Sequence, residues 1–309
     1  MSQSSGPFPP ALLAHLRTLY SDVCSPRSLF VPLLGAVLSS LNEPELILAL
    51  FDDACDHLEV GVDKAIEVGN QEKIPDWVAL AGQDVKDKRM FGKLLVAVRT
   101  REALLKSFPL VGFPLTISSL TALSTHLSKN HPDIWPLVER IEAAHPFPTA
   151  FEPLGEYGLA PHPVTNALNQ QPLEPVSRGR ILFNNIYGKV AGRVLESLRW
   201  GHPNLVDSAL KLIYTPVLSD TRVLQDPLDS SLLCLALCFA SDLPPQTKGH
   251  FKGAQNHSAT PKQIYALLTS IRCIMEWKGV RLRMERMEFL GPVGGLNDMP
   301  SEEEGKPKL

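Results

Sequence analysis

Two histidines near the end of the chain have the residue type and spacing for proton-transfer chemistry. On a helix that begins near Pro245, His250 and His257 share one face with Gln246 and Gly253. An imidazole that is partly desolvated on such a face has an easily tuned protonation state and can act as a general acid or base. We therefore predict His250 as the catalytic residue, with Gln246 and His257 as binding residues.

The same helix face also has a purely structural interpretation. His250 would then be a hydrogen-bonded histidine of the core, and His257 an exposed residue at the helix end. Gly253 and Ala254 carry little side-chain bulk, so we expect a neighbouring helix to pack closely against them. No Cys, Asp or Glu stands near the two histidines in a metal-ligand spacing, so we predict no metal site and no cofactor.

The segment around these histidines, HFKGAQNHSATPKQI, resembles the carboxymuconolactone decarboxylase superfamily, which includes the AhpD alkyl hydroperoxidase-like proteins. In that superfamily a helix with a His-x-x-x-Ala pattern is followed by a short turn, a Thr cap and a further helix. The preceding apolar segment DSSLLCLALCFAS, the IYG at residues 186–188 and the segment LKLIYTPVLSD are also similar to fungal-type members. In the first half, REALLKSFPLVGFPLTISSLTAL is similar to the closing part of a second, degraded copy. The resemblance implies an all-helical, two-repeat chain that forms a homo-oligomer.

The resemblance also implies a reaction, in which His250 is the general acid or base acting on a small carboxylate or lactone. Peroxide-reducing members carry a Cys-x-x-Cys pair at the positions of Leu243 and Gln246, and a Glu at the position of Ser231. The decarboxylase branch places a Glu at the position of Gln246, where this chain has an amide that cannot shuttle a proton. These departures favour, as an alternative, a non-catalytic helical scaffold.

A thiol-dependent peroxide reductase is a further alternative. Cys234 and Cys238 lie one helical turn apart on an apolar helix. Such thiols are usually buried and inert, so this function requires that one of the two is exposed and reactive.

The elements that position these residues are helices. Helical periodicity recurs along the chain, and no segment shows the alternation of a strand, so we predict an all-α fold. The predicted helices begin at Pro10 and near Pro245 and cover Glu43–Leu58, Lys86–Ser107, Ser118–Lys129, Asp133–Ala144, Arg178–Arg199, Pro203–Tyr214, Pro227–Ala240 and Pro261–Trp277. Thr260 and Gln263 form a predicted capping box, and Asp226 is a predicted N-cap, so both of the helices that follow them have a defined start.

A proline-rich stretch divides the chain, because prolines at this density cannot continue a helix. Together with the superfamily resemblance, this predicts an N-terminal repeat over residues 1–145, a linker over 146–177, a C-terminal repeat over 178–290 and a flexible tail over 291–309.

An acidic segment in the first half, FDDACDHLE, invites a functional interpretation. Asp52 and Asp56 are four residues apart and share a helix face. We interpret them as the solvated end of a helix.

Composition excludes several classes of protein. The chain has 309 residues, 44% of them hydrophobic and 20% charged, which is typical of a globular protein, and its net charge of −3 argues against nucleic acid as a partner. The longest apolar stretch, Ser28–Leu41, is interrupted by Pro32 and is shorter than the roughly 20 residues that span a bilayer, so we predict no membrane span. Five cysteines without regular spacing predict reduced thiols in an intracellular protein, and the first residues lack the pattern of a secretory signal.

The last three residues, Pro307, Lys308 and Leu309, resemble the Ser-Lys-Leu peroxisomal address, although a proline stands where a small residue is usual. We therefore predict the peroxisomal matrix as the location and the peroxisomal import receptor as a partner. The cytoplasm is the alternative location.

Overall fold

The computed structural model describes residues 6–21, 30–57, 85, 87–144, 175–220 and 227–282. Within these ranges the regular structure is helical and contains no strand, so the predicted all-α class is confirmed. The α-helices are α1 (Pro10–Ser21), α2 (Phe30–Ser40), α3 (Pro44–Asp56), α4 (Lys88–Val111), α5 (Phe113–Asn130), α6 (Trp135–Ala144), α7 (Pro175–Tyr187), α8 (Ala191–Gly201), α9 (Leu205–Asp207), α10 (Pro227–Ala240), α11 (Pro244–Asn256) and α12 (Pro261–Trp277). A 3-10 turn (Gly188–Val190) joins α7 to α8, and α9 runs directly into a π-helical segment, π1 (Ser208–Leu218).

The start of α12 is set by the capping box that the sequence predicts. The Thr260 hydroxyl accepts a hydrogen bond from the Gln263 amide at 3.2 Å, and the Gln263 side chain accepts one from the Thr260 amide at 2.8 Å. Helix α10 begins at Pro227 as predicted, while its predicted cap, Asp226, lies outside the described residues.

The prediction of one helix over Arg178–Arg199 was wrong, because the chain breaks near the middle of that range. Gly188 has a φ of +52°, a left-handed conformation that glycine adopts without the steric cost of a Cβ. Helix α7 ends before Gly188, and α8 begins at Ala191. The break turns the chain and places Tyr187 at the end of α7.

Two hydrophobic cores organise the helices. The main core takes buried residues from α1–α6 and also from α10, α11 and α12. The second core is built from α7, α8, α9 and π1 together with Cys234 of α10. Helix α10 is buried from Asp229 to its last residue, so it forms the wall between the two cores. The predicted division into two repeats stays a prediction, since helices from both halves of the chain share the main core.

Glycines allow the closest helix contacts. A Cβ added at Gly253 of α11 would lie 2.7 Å from the Ile186 side chain of α7, so the predicted close packing at Gly253 is confirmed. A Cβ at Gly179 of α7 would lie 2.6 Å from the backbone nitrogen of Thr215 in π1. Helix α7 is therefore held between α11 and π1 at distances that a side chain would prevent.

None of the described helices is long and apolar enough to cross a membrane.

Candidate functional site

His250 lies on the face of α11 that packs against α7, and it is only 7% exposed. Burial lowers the pKa of His250 to about 4, because the interior disfavours the charged imidazolium. The side chain is therefore neutral near pH 7. Its Nδ1 atom is buried and has no hydrogen-bond partner among the residues that the structure describes. The predicted alternative of a hydrogen-bonded structural histidine thus lacks its hydrogen bond at this atom.

Tyr187 lies beside His250 and is paired with Tyr214. The Tyr187 ring lies 6.0 Å from the imidazole, centroid to centroid, and the Tyr187 and Tyr214 hydroxyl oxygens are 3.3 Å apart. Burial raises the pKa of both phenols, so both keep their protons. The Asn256 amide holds this arrangement together, because it donates hydrogen bonds to the carbonyl oxygens of Asn185 and Ile186 at 3.1 and 2.9 Å.

The two thiols of α10 are buried close to this pair of tyrosines. Burial raises the pKa of Cys238 to about 12, and burial together with the charge of Cys238 raises the pKa of Cys234 still further. Both side chains are therefore thiols rather than thiolates near neutral pH. A peroxide reductase needs an accessible thiolate, and neither residue provides one.

The two predicted binding residues lie in different surroundings. Gln246, one turn before His250, is exposed to solvent. His257 is half-buried at the end of α11, and its Nδ1 lies 2.7 Å from the hydroxyl of Ser231 on α10. The contact between Ser231 and His257 joins α10 to the end of α11.

Sequence reasoning did not single out the two tyrosines. Their signal was present, since both stand in the IYG and LIYTP segments within apolar helices. The pattern gave no indication that Tyr187 and Tyr214, from separate helices, contact each other, or that Tyr187 lies beside His250.

The two acidic residues of α3 that were predicted to be solvated differ in their contacts. Asp56 is exposed, as predicted for a solvated helix end, but the Asp52 carboxylate contacts two histidines. Its Oδ1 atom lies 2.7 Å from His126 Nε2 and 3.0 Å from His131 Nε2. Burial raises the pKa of Asp52, but the hydrogen bonds from His131 and His126 outweigh this effect, so the net pKa is below its usual value.

Two known proteins are similar in sequence to this chain. It is 35% identical over 186 residues to Peroxisomal protein 2 of Schizosaccharomyces pombe, an alignment that covers 59% of this chain and 73% of that protein. It is 29% identical over 258 residues to Peroxisomal protein 2 of Saccharomyces cerevisiae, an alignment that covers 80% of this chain and 87% of that protein. No protein-family model and no solved structure matches it. The predicted peroxisomal location is confirmed by these relatives, and the chain belongs to the Peroxisomal protein 2 family.

Proposed function

We propose that this peroxisomal protein is a matrix enzyme similar to carboxymuconolactone decarboxylase, and that it acts on a small carboxylate or lactone with His250 as general acid and base. The observation that carries the proposal is the buried, neutral imidazole of His250 with an unpartnered Nδ1 atom. A buried polar atom without a partner costs about 1–3 kcal/mol, which an apolar residue at this position would avoid. Perturbed ionisable groups of this kind concentrate at functional sites.

The neutral form of His250 is the form that can accept a proton. Before the reaction the imidazole takes a proton from water and becomes an imidazolium. When the carbon–carbon bond to the carboxylate breaks, carbon dioxide leaves and its bonding electrons form an enolate. The imidazolium then protonates the enolate carbon and is neutral again. A carboxylate bound beside the ring favours the imidazolium, since an opposite charge raises the pKa of a histidine.

The neighbouring side chains suit an anionic intermediate. Tyr187 lies against His250, and its phenol keeps its proton as a hydrogen-bond donor. A donor in a buried site stabilises developing oxyanion charge more strongly than it would in water. Gln246 and His257 are the proposed binding residues at the two ends of the same helix.

The superfamily resemblance and the last three residues add further parts to the proposal. The fold is AhpD-like with two degenerate repeats, the chain forms a homo-oligomer, and the import receptor reads Pro307, Lys308 and Leu309. These last three residues lie outside the described part of the chain.

A second candidate function is a non-catalytic helical scaffold. It is favoured by the exposed amide of Gln246 and by the hydroxyl of Ser231, which occupy the positions of carboxylates in active superfamily members. In this case His250 contributes to stability alone.

The two functions are separated by assaying His250→Gln and His250→Ala on a panel of small γ-lactones and unsaturated carboxylates. If His250 is the acid and base, either change lowers turnover by about 100-fold or more, since general acid–base catalysis contributes at least this factor. The control is His202→Gln, which changes an exposed histidine. Circular dichroism verifies that each variant is folded. Absence of turnover by the unaltered protein, or activity of His250→Ala within twofold of it, would support the scaffold instead.

A further inference from the structure

Three metal-binding side chains converge between α3 and the end of α5, away from His250. Asp52, His126 and His131 each offer one ligand atom, and these three atoms lie within 4.8 Å of one another. Both imidazoles present the same atom, Nε2, to the carboxylate. This set of two imidazoles and one carboxylate is a common ligand set for borderline divalent cations.

The convergence depends on how α5 ends. His126 and His131 are five residues apart, so on a continuous helix their side chains would diverge by about 140°. The helix stops at Asn130, and His131 leaves it with a φ of −130° and a ψ of 53°. This departure brings the second imidazole back toward the first, and their ring centroids lie 5.4 Å apart.

The three candidate ligands differ in how deeply they are buried. The His126 and His131 side chains are 10% and 12% exposed, whereas the Asp52 side chain is 44% exposed. The Phe51 ring meets both imidazoles edge to face, at centroid distances of 6.4 and 5.2 Å, and so limits their rotation. The two imidazoles therefore pack against the Phe51 ring, and the Asp52 carboxylate remains open to solvent, where an ion and a water ligand can enter.

We propose that Asp52, His126 and His131 form a binding site for a divalent transition-metal ion, with zinc as the ion. Tetrahedral zinc with bonds of about 2.0–2.2 Å separates its ligand atoms by about 3.3 Å. The observed separations from Asp52 Oδ1 are 2.7 and 3.0 Å, so they need to widen by about 0.6 and about 0.3 Å. Three protein ligands leave the fourth position to water.

Asn130 supplies an outer partner for one of the ligands. Its side-chain nitrogen lies 3.0 Å from His126 Nδ1. An ion at Nε2 requires a proton at Nδ1, and a half-turn of the Asn130 amide then presents its oxygen to accept a hydrogen bond from the Nδ1–H group. The Asn130 side chain can thus hold the His126 ring in place both with and without a bound ion.

The test uses the full chain after a chelator has removed any bound metal. This protein is titrated with Co²⁺, whose visible absorption reports tetrahedral coordination, and the bound Co²⁺ is then displaced with Zn²⁺. The unaltered protein is expected to bind one Co²⁺ per chain and to melt at a higher temperature with Zn²⁺ present. His126→Ala and His131→Ala are each expected to weaken binding by about 100-fold or more, and Asn130→Leu by about tenfold. The matched control is His57→Ala, an exposed histidine at the end of α3, which should leave binding unchanged.

Asp52→Asn separates the metal site from a simple hydrogen-bonded cluster. The amide oxygen can still accept a hydrogen bond from an imidazole, but the negative charge is lost, so the fold should persist while Co²⁺ binding is lost. The proposal is overturned if the unaltered protein binds no Co²⁺, or if the His126, His131 and Asp52 variants bind it as tightly as His57→Ala does. Because these assays measure metal uptake and melting rather than turnover, their result is independent of the role of His250.

Discussion

The burial of His250 should make the stability of this protein depend on pH. In the folded protein the pKa of His250 is about 4, compared with 6.5 for an unperturbed histidine. Between these values the unfolded chain binds a proton that the folded protein excludes, so acid favours unfolding. The free energy of unfolding therefore has its full value above about pH 6.5 and falls as the pH drops toward 4.

The magnitude follows from the size of this pKa difference. At about 1.4 kcal/mol per pH unit, the whole window costs about 3 kcal/mol, and about 2 kcal/mol is lost by pH 5. The nearby Tyr187, Tyr214, Cys234 and Cys238 have raised pKa values and do not titrate in this window. A loss of this size is a large fraction of the stability of an ordinary domain.

The measurement is urea unfolding followed by circular dichroism at about pH 7.5 and about pH 5, for the unaltered protein and for His250→Gln. The variant keeps a polar side chain of similar size but cannot titrate, so it should lose about 2 kcal/mol less than the unaltered protein between the two pH values. Burial also lowers the pKa of His15, but that residue is present in both proteins, so its effect cancels in the comparison.

The control for this experiment is His202→Gln, which alters an exposed histidine and should retain the pH dependence of the unaltered protein. Equal losses of stability in His250→Gln and in the unaltered protein would refute the reasoning. The buried imidazole would then not be the group that resists protonation.

Three further predictions concern packing, thiols and location. Gly179→Ala should lower the free energy of unfolding in urea by about 1–3 kcal/mol, because the added Cβ would collide with π1. Gly192→Ala, at a position with open space around it, should not destabilise the protein. Equal effects of the two changes would contradict the close contact between α7 and π1. Cys234 and Cys238 should resist alkylation in the folded protein and react in urea, as followed by mass spectrometry of the peptide that contains them. Rapid labelling of the folded protein would instead support a thiol-dependent peroxide reductase. A fluorescent fusion that ends in Pro307-Lys308-Leu309 should enter peroxisomes, and deletion of Leu309 should leave it diffuse in the cytosol. Import without Leu309 would show that another signal is used.

Local features of the fold were predictable because their causes are local. Helical periodicity predicts the all-α class, and the capping residues Thr260 and Gln263 set the start of α12 through contacts three residues apart. The break at Gly188 was missed, because a single glycine within an apolar helical pattern does not reveal the sign of its φ angle. The packing of helices from both halves into one core also has no local signature.

The candidate site was predictable only in part. His250 was identified from its place on a helix face, and Gly253 correctly indicated that another helix packs there. The identity of that helix, and therefore of Tyr187 as the neighbour of His250, depends on contacts between distant parts of the chain. The unpartnered Nδ1 atom is likewise a property of the packed interface and not of the residue.

The sequence by itself determined the all-α class and where some of the helices begin. It also carried the family and the peroxisomal location. The tertiary structure alone decided which side chains meet. Asp52 contacts His126 and His131 across separations of 74 and 79 residues, and His250 is neutral because burial disfavours its charged form. Hydrogen bonds and caps within a helix act over a few residues, whereas burial and ligand convergence depend on how distant helices pack.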